Sequence, residues 1–231
     1  MMGTNKFLEE LYQYYFPLDT GLDINMKQLT FLLSKLTKYC SRTTDHCIRV
    51  SSYSMLLAKH LNISRADIKT LWKASLFHDV GKITIPKCVL DKPSKLTSHE
   101  YDVIKNHSLK GCLIVSKYES IMDSRHIILF HHERYDGKGY PIGISGKEIP
   151  FLSRLISVCD AFDAMTSERP YNSLLSFEEA KRELDKNKWK QFDGEIVDAF
   201  LNLLNEYKQI KGELRLFQGL DCNNPLSVGM S

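Results

Sequence analysis

Seven side chains of the types that bind metal ions lie on or beside apolar helical segments of this 231-residue chain: His46, His78, Asp79, His107, His131, His132 and Asp160. Imidazole and carboxylate ligands together suit iron, manganese or zinc. For any one histidine alone, a structural role at a helix end is the simpler interpretation. A buried histidine needs a partner, however, so five of them are better explained by one shared metal site. The set predicts metal-assisted hydrolysis.

Lys82 follows the His78-Asp79 pair closely and is the second chemical signal. Two cations about 3.5–4 Å apart could hold a bridging water and lower its pKa. The Lys82 ammonium could then offset charge in the transition state of a hydrolysis. The alternative is an exposed lysine at the start of a loop. We predict Asp79 and Lys82 as the catalytic residues.

Composition excludes several other classes of protein. The net charge is +3, which is too small to indicate binding of a nucleic-acid polymer. Six cysteines form no C-x-x-C pair, which is typical of reduced thiols rather than of a zinc ribbon. The N-terminus has no secretory pattern, and the apolar runs are too short to span a membrane. We therefore expect a cytoplasmic protein that does not contact membranes.

Apolar residues recur at helical spacing, and no segment alternates convincingly with period two. The clearest stripe consists of four leucines: Leu29, Leu32, Leu33 and Leu36. Ser64, Thr97 and Ser176 each precede an acidic residue by three positions, as in a helix N-terminal capping box. The helix that begins at Ser64 should end at Gly81. The predicted fold class is all-α.

Three further helices should carry the remaining candidate ligands. One begins at Thr97 and has His107 on its face. Another spans residues 120–132 and ends in the paired histidines. A third begins at Pro150 and presents Asp160.

Segments rich in proline and glycine separate these helices. Residues 82–97 and 133–149 should be loops. The predicted division is an N-terminal helical extension over residues 1–39, a catalytic domain over residues 40–211 and a C-terminal tail over residues 212–231.

The segments around the candidate ligands resemble the HD-GYP domain, a branch of the HD phosphohydrolase superfamily. The matching sequences are HCIRV at 46–50, HDVGKITIP at 78–86, IKNHSLKG at 104–111, HHERYDGKGYP at 131–141 and SVCDAFDAMTSERPY at 157–171. The resemblance implies an HD-domain helical bundle. It also implies a phosphodiesterase that opens cyclic di-GMP to linear pGpG, and often cleaves further to GMP.

The same resemblance implies how two divalent ions, iron or manganese, would be shared. One ion takes four ligands: His46, His78, Asp79 and Asp160. Asp79 bridges to the second ion, which takes three histidines: His107, His131 and His132. Relatives with a third ion use a glutamate where this chain has Arg42. Since a guanidinium repels cations, we predict two ions.

Four residues are predicted to contact the substrate besides Lys82. Similar proteins use the positions of Asp163 and Arg169 to contact the nucleotide. Arg154 lies two turns before Asp160 and could reach the phosphates, or could form a salt bridge instead. Tyr140, in the Gly-Tyr-Pro loop, could pack beside the site or belong to a purely structural turn.

The resemblance to the HD-GYP domain also suggests partners and alternative functions. Asn172 replaces a basic residue of many relatives, which could shift preference towards cyclic GMP-AMP. A homodimer through the N-terminal helices and a protein partner at the Gly-Tyr-Pro loop are further expectations. The alternatives are an HD phosphohydrolase for nucleotides or alarmones, and a non-catalytic sensor of cyclic dinucleotides. The full ligand set and Lys82 disfavour the sensor.

Overall fold

The computed structural model describes residues 2–17, 24–167 and 174–209. Within these ranges the chain forms eleven α-helices, three short 3-10 turns and no β-strand, which confirms the predicted all-α class. The helices are α1 (Met2–Tyr15), α2 (Met26–Tyr39), α3 (Ser41–His60), α4 (Arg65–Phe77), α5 (Lys87–Leu90), α6 (Ser98–Lys105), α7 (His107–Val115), α8 (Arg125–Phe130), α9 (Phe151–Thr166), α10 (Phe177–Lys186) and α11 (Gly194–Gln209). The 3-10 turns are Val80–Thr84, Met122–Ser124 and Gly146–Glu148.

Both N-terminal helices belong to the same hydrophobic core as the helices that follow them. Tyr12 in α1 lies edge-on to Trp72 in α4, with 5.4 Å between the ring centroids. The four leucines of the α2 stripe are at most 1% exposed. This stripe therefore packs inside its own chain, and a dimer through the N-terminal helices would need another of their surfaces.

Three helix starts follow the predicted capping pattern. The Ser64 hydroxyl accepts a hydrogen bond from the Asp67 backbone N–H at 3.2 Å. Thr97 and Ser176 form complete capping boxes, in which the backbone N–H of the cap residue also donates a hydrogen bond to a glutamate carboxylate three positions later. These contacts satisfy N–H groups that have no partner within the helix, and so fix where α4, α6 and α10 begin.

The predicted end of α4 at Gly81 is wrong, because the helix ends at Phe77. Gly81 lies in the following 3-10 turn, which packs against α7. A Cβ on Gly81 would lie 1.9 Å from the His107 carbonyl oxygen. The glycine is therefore needed for a close backbone contact rather than for a helix stop.

The segment predicted as one helix from Thr97 through His107 is two helices, α6 and α7, which meet at Asn106. The Ile104 carbonyl accepts a hydrogen bond from His107 Nδ1 at 2.7 Å, in place of the N–H that a continuing helix would supply. The helix predicted over residues 120–132 is shorter and corresponds to α8, and α5 lies in a segment predicted as loop.

Several predictions concern residues outside the described ranges. They are the substrate contact Arg169, the substitution at Asn172 and the tail over residues 212–231. The domain boundary at residues 39 and 40 stays a prediction. No helix in the described part of the chain combines the length and the apolarity that a bilayer crossing requires.

Candidate active site

The seven predicted ligands converge on one site, although five helices or helix ends supply them. Their potential ligand atoms form three overlapping groups, and within each group all atoms lie within 4.8 Å of one another. The groups are Asp79 with His107, His131 and His132; His46 with His78 and Asp79; and His78 with His131 and Asp160. The first group contains the predicted ligands of the second ion. The other two contain those of the first ion, but the third group also includes His131, which was predicted to bind the second.

Asp79 lies between the two predicted ion positions, with one carboxylate oxygen towards each. Its Oδ1 lies 3.3 Å from His107 Nε2. Its Oδ2 lies 3.7 Å from His46 Nε2 and 3.6 Å from His78 Nε2. The carboxylate is 2% exposed, so the surrounding side chains rather than water set its orientation. A carboxylate with its two oxygens directed to two ligand groups has the geometry needed to bridge two cations.

Three of the histidines are oriented by carbonyl groups near the end of the helix that precedes them in the chain. His78 Nδ1 bonds to the Ser75 carbonyl at 2.7 Å, and His131 Nδ1 bonds to the Ile128 carbonyl at 2.6 Å. His107 Nδ1 bonds in the same way to the Ile104 carbonyl, at 2.7 Å. A carbonyl oxygen only accepts, so each Nδ1 carries the hydrogen, and each Nε2 keeps a lone pair. The last carbonyls of a helix have no partner within it, which makes them available for this role.

The Nε2 atoms of His107 and His131 are directed at each other without a hydrogen to share. His107 Nε2 lies 3.3 Å from His131 Nε2 and 3.1 Å from His132 Nε2. His78 Nε2 is buried and has no hydrogen-bond partner in the described part of the chain. Buried acceptors in contact repel one another unless a cation or donor lies between them. The site therefore fits metal ions and is difficult to explain without them.

Burial also holds the imidazoles of this cluster in the form that binds metals. It lowers the pKa of His78 and His107, and together with the neighbouring imidazoles it lowers the pKa of His131 further. Burial and His107 lower the pKa of His132 to about 3. Neutral imidazole is the metal-binding form, so these residues need not lose a proton to bind a cation at neutral pH.

The two carboxylates remain ionised in spite of their burial. Burial opposes charge on Asp79, but the Lys82 ammonium and nearby imidazoles hold its pKa well below the usual range. Burial likewise opposes charge on Asp160, but a hydrogen bond from His46 holds its pKa well below the usual range. For His46 itself, hydrogen bonds to Asp160 and Asp163 outweigh burial and raise its pKa to about 8.

Asp163 lies behind His46 rather than in the pocket. It is 1% exposed. It accepts a hydrogen bond from His46 Nδ1 at 2.6 Å and two from the Arg49 guanidinium at 2.7 and 3.0 Å. These contacts leave His46 Nε2 directed at Asp160, 3.0 Å away. The predicted contact of Asp163 with the nucleotide is therefore not supported, because both carboxylate oxygens are already engaged with protein groups.

Lys82 is placed as predicted, beside the ligand cluster and facing the cavity. Its ammonium bonds to Asp79 Oδ2 at 2.5 Å. The two residues line a cavity of about 430 Å³ together with three other candidate ligands: His46, His131 and His132. Asp160 lines it as well, and the cavity lies within the size range of small-molecule sites, roughly 300–1,000 Å³.

Arg154 forms a salt bridge, which was the alternative to a role in substrate binding. Its partner is Asp193, which is distant in sequence. The Arg154 guanidinium bonds to the Asp193 carboxylate and to the Ile149 carbonyl. The Arg154 side chain is 10% exposed and does not line the cavity. A substrate phosphate would have to displace a buried carboxylate to reach it, so its role in substrate binding stays a prediction.

The Gly-Tyr-Pro loop packs against the histidines. The Tyr140 ring lies 4.8 Å from the His132 ring, between centroids. A Cβ on Gly139 would lie 2.3 Å from the Arg134 backbone nitrogen, so only glycine allows the loop to approach this closely. These contacts agree with a structural turn that positions the histidines. The proposed contact of Tyr140 with substrate and the docking of a partner stay predictions.

Other residues of the site were not identified from the sequence. Arg49 follows His46 by three positions on α3, and this spacing could have indicated that both reach the same acid. Four polar residues that also line the cavity gave no comparable signal: Arg134, Glu183, Asn187 and Gln191. Arg134 follows the paired histidines, the other three belong to α10 and the loop after it, and only the tertiary fold brings these two segments together.

Comparisons with known proteins agree with this arrangement. The family model described as HD domain matches residues 29–196. The chain is 38% identical over 156 residues to a cyclic di-GMP phosphodiesterase of Thermotoga maritima. That alignment covers 67% of this chain and 42% of the Thermotoga protein. The chain is 36% identical over 165 residues to a 3′3′-cGAMP-specific phosphodiesterase of Vibrio cholerae, covering 70% and 36% respectively.

A solved structure shows the same fold. The crystal structure of a cyclic GMP-AMP specific phosphodiesterase from Vibrio cholerae superposes with a TM-score of 0.61 at 20% identity, covering 83% of this chain and 50% of that one. The chain spans less than half the length of the two curated relatives described above. The family match covers most of the chain and includes all seven converging side chains. The chain therefore belongs to the HD domain family, and its motifs are those of the HD-GYP branch.

Proposed function

We propose that this chain is a metal-dependent phosphodiesterase that hydrolyses cyclic di-GMP to linear pGpG, and in a further step to GMP. The position of Asp79, with its two oxygens directed at separate histidine groups, carries the proposal. An open cavity adjoins that carboxylate and Lys82 and could admit a phosphodiester. The named activity of the Thermotoga relative supports the choice of substrate.

The proposed ligands divide as the resemblance implies. His46, His78 and Asp160 would hold one divalent ion, His107, His131 and His132 the other, and Asp79 would contact both. Histidine-rich ligation of this kind suits iron or manganese. Two such ions, when bound, supply the Lewis acidity that phosphodiester hydrolysis needs.

The protein groups around them have separate tasks. Lys82 lines the same cavity as Asp79 and would offset charge on a phosphoryl oxygen of the substrate. Three of the neutral imidazoles, those of His78, His107 and His131, keep an Nε2 lone pair for binding, because their Nδ1 atoms are held by backbone carbonyls. Asp163 and Arg49 fix the ring of His46. The site thus has a charge-compensating group on the cavity side and orienting groups behind it.

A second substrate is favoured by one comparison. The Vibrio relative is named as specific for 3′3′-cGAMP and is almost as similar to this chain as the Thermotoga relative. Hydrolysis of cyclic GMP-AMP by the same site is therefore the second candidate function.

The direct test is to incubate reduced protein, loaded with Fe²⁺ or Mn²⁺, with each cyclic dinucleotide and to separate the products by ion-exchange chromatography. We expect linear pGpG from cyclic di-GMP. The absence of linear product with either metal would contradict the proposal. Tight binding of cyclic di-GMP without turnover would favour the sensor instead.

The contact behind His46 leads to a separate prediction. Asp163→Asn should lower metal affinity about 10- to 100-fold, because the neutral amide accepts less strongly from His46 Nδ1 and the second partner Arg49 loses its counter-charge. Titration of the metal-free variant with Mn²⁺ would measure the change. Asp185→Asn, at an exposed acid outside the cavity, is the matched control. An unchanged affinity in Asp163→Asn would show that this residue does not position the ligand.

A further inference from the structure

The same cavity is also lined by polar side chains that the proposed hydrolysis does not use. We call these four residues the distal wall: Arg134, Glu183, Asn187 and Gln191. We propose that the distal wall binds the Watson–Crick edge of a guanine base and makes the site selective for guanine over adenine. This inference rests on the proposed function, since it assigns the part of the same cavity that holds a base of the substrate.

The amide of Gln191 has a fixed orientation. Arg134 Nη1 donates a hydrogen bond to Gln191 Oε1 at 3.1 Å. Arg134 is itself held by the Asp136 carboxylate, through Nε at 3.0 Å and Nη2 at 2.8 Å. A guanidinium only donates, so the oxygen of the amide must face Arg134. The Gln191 Nε2 group is therefore a donor, and no described residue accepts its hydrogens.

The amide of Asn187 is fixed in the opposite sense. Its Nδ2 donates to the Glu183 backbone carbonyl and to Glu183 Oε1, both at 2.8 Å. Because both Glu183 groups are acceptors, the amide nitrogen of Asn187 must face Glu183 and its oxygen must face away. Asn187 Oδ1 is therefore an acceptor with no donor among the described residues. Among the described residues, the second oxygen of Glu183 forms one ion pair, with Lys186 at 3.9 Å, and that lysine is 76% exposed.

The distal wall therefore presents one donor and two acceptors with unused capacity. Guanine presents one acceptor, O6, and two donor groups, N1–H and the N2 amino group, along a single edge. Adenine presents a donor at N6 and an acceptor at N1, so its N1 would face a carboxylate or a carbonyl oxygen. A site that leaves such groups unpaired discriminates strongly against the mismatched ligand.

The distal wall is also held rigidly, which favours selective binding. The Tyr135 backbone N–H donates to the Gln191 carbonyl at 3.1 Å, and the Asp136 N–H donates to the Lys190 carbonyl at 2.8 Å. Trp189 packs edge-on against Tyr135, with 5.5 Å between the ring centroids. The loop after α10 is thus bonded to the segment that follows the paired histidines. A preorganised set of donors and acceptors loses little entropy when the ligand binds.

The test is the affinity of the Mn²⁺-loaded protein for GMP and for AMP, measured by isothermal titration calorimetry. We expect the unmodified chain to bind GMP at least about tenfold more tightly than AMP. Glu183→Gln keeps an oxygen for Asn187 but replaces the other acceptor with a donor, and should reduce that preference to within about threefold. Gln191→Met removes the donor at similar size and should reduce it as well.

Asp185→Asn is the matched control, because this acid lies on the same helix, is 57% exposed and does not line the cavity. It should keep the preference for GMP. Equal affinity for GMP and AMP in the unmodified chain would overturn the proposal, and so would an unchanged preference in both Glu183→Gln and Gln191→Met.

The measurement separates this proposal from the proposed function, because it needs no turnover. If the chain prefers GMP but yields no linear product from cyclic di-GMP, the guanine selectivity of the distal wall is supported and the hydrolase activity is contradicted. If it hydrolyses cyclic di-GMP and cyclic di-AMP with equal kcat/KM, the hydrolase activity is supported and the guanine selectivity is contradicted.

Discussion

Replacing Asp79 with alanine should lower kcat/KM for cyclic di-GMP by about 10³-fold or more, since several kcal/mol of transition-state stabilisation depend on the paired metal ions. Asp79 has one carboxylate oxygen near His46 and the other near His107, so it contacts both histidine groups. Its loss removes a ligand from both proposed ions and leaves the Lys82 ammonium without its counter-charge. Product formation and metal content, measured on the same preparation, would check both consequences.

The metal content of the unmodified chain provides the reference for this comparison. We expect two ions per chain after anaerobic purification. The resemblance places a glutamate of three-ion relatives at the position of Arg42, and the Arg42 guanidinium instead bonds to Asp91 at 2.9 Å. Three ions per chain would contradict that reasoning. Asp79→Ala protein that is folded by circular dichroism yet retains full turnover would refute the bridging role of Asp79.

Replacing Gly81 with alanine should be the most destabilising small substitution near the site. The added Cβ would lie 1.9 Å from the His107 carbonyl oxygen and 2.6 Å from the Gly111 backbone nitrogen. Because both contacts are with backbone, no side chain can rotate away, and the 3-10 turn must separate from α7. We expect the free energy of unfolding to fall by about 3 kcal/mol or more, measured by urea denaturation.

Gly111→Ala is the matched control for that substitution. Its Cβ would lie 3.1 Å from a methyl of the Ile128 side chain, which can shift, and its backbone neighbours, the Gly81 nitrogen at 3.4 Å and the His78 oxygen at 3.7 Å, are at ordinary contact distances. Alanine also favours the helix. The free energy of unfolding should change by no more than about 1 kcal/mol. If Gly81→Ala proved as stable as Gly111→Ala, the close contact between the turn and α7 would be refuted.

The convergence of the ligands could be predicted from the sequence because metal chemistry restricts the side chains so strongly. Five histidines on apolar segments require partners, and the most economical partner is a shared cation. The position of Asp163 was harder to predict. Its spacing from Asp160 places both on one face of α9, but helical periodicity does not distinguish a residue that faces the cavity from one that faces α3.

Helix ends and long-range pairs account for the remaining differences. The break between α6 and α7 depends on the His107 imidazole bonding to a carbonyl, which periodicity does not reveal. The distal wall depends on pairs such as Arg134 with Gln191, which lie 57 positions apart. Such pairs follow from packing, and no local pattern encodes them.

Three imidazoles owe their orientation to carbonyl groups three positions earlier in the chain, at Ser75, Ile104 and Ile128. Peptide oxygens are the same in every residue type, so mutational drift at these three positions leaves the interaction intact. Insertions or deletions there would have a different effect, because one added residue would rotate the ring away. The reactive centre should therefore tolerate altered amino-acid identity at these helix ends far better than altered length.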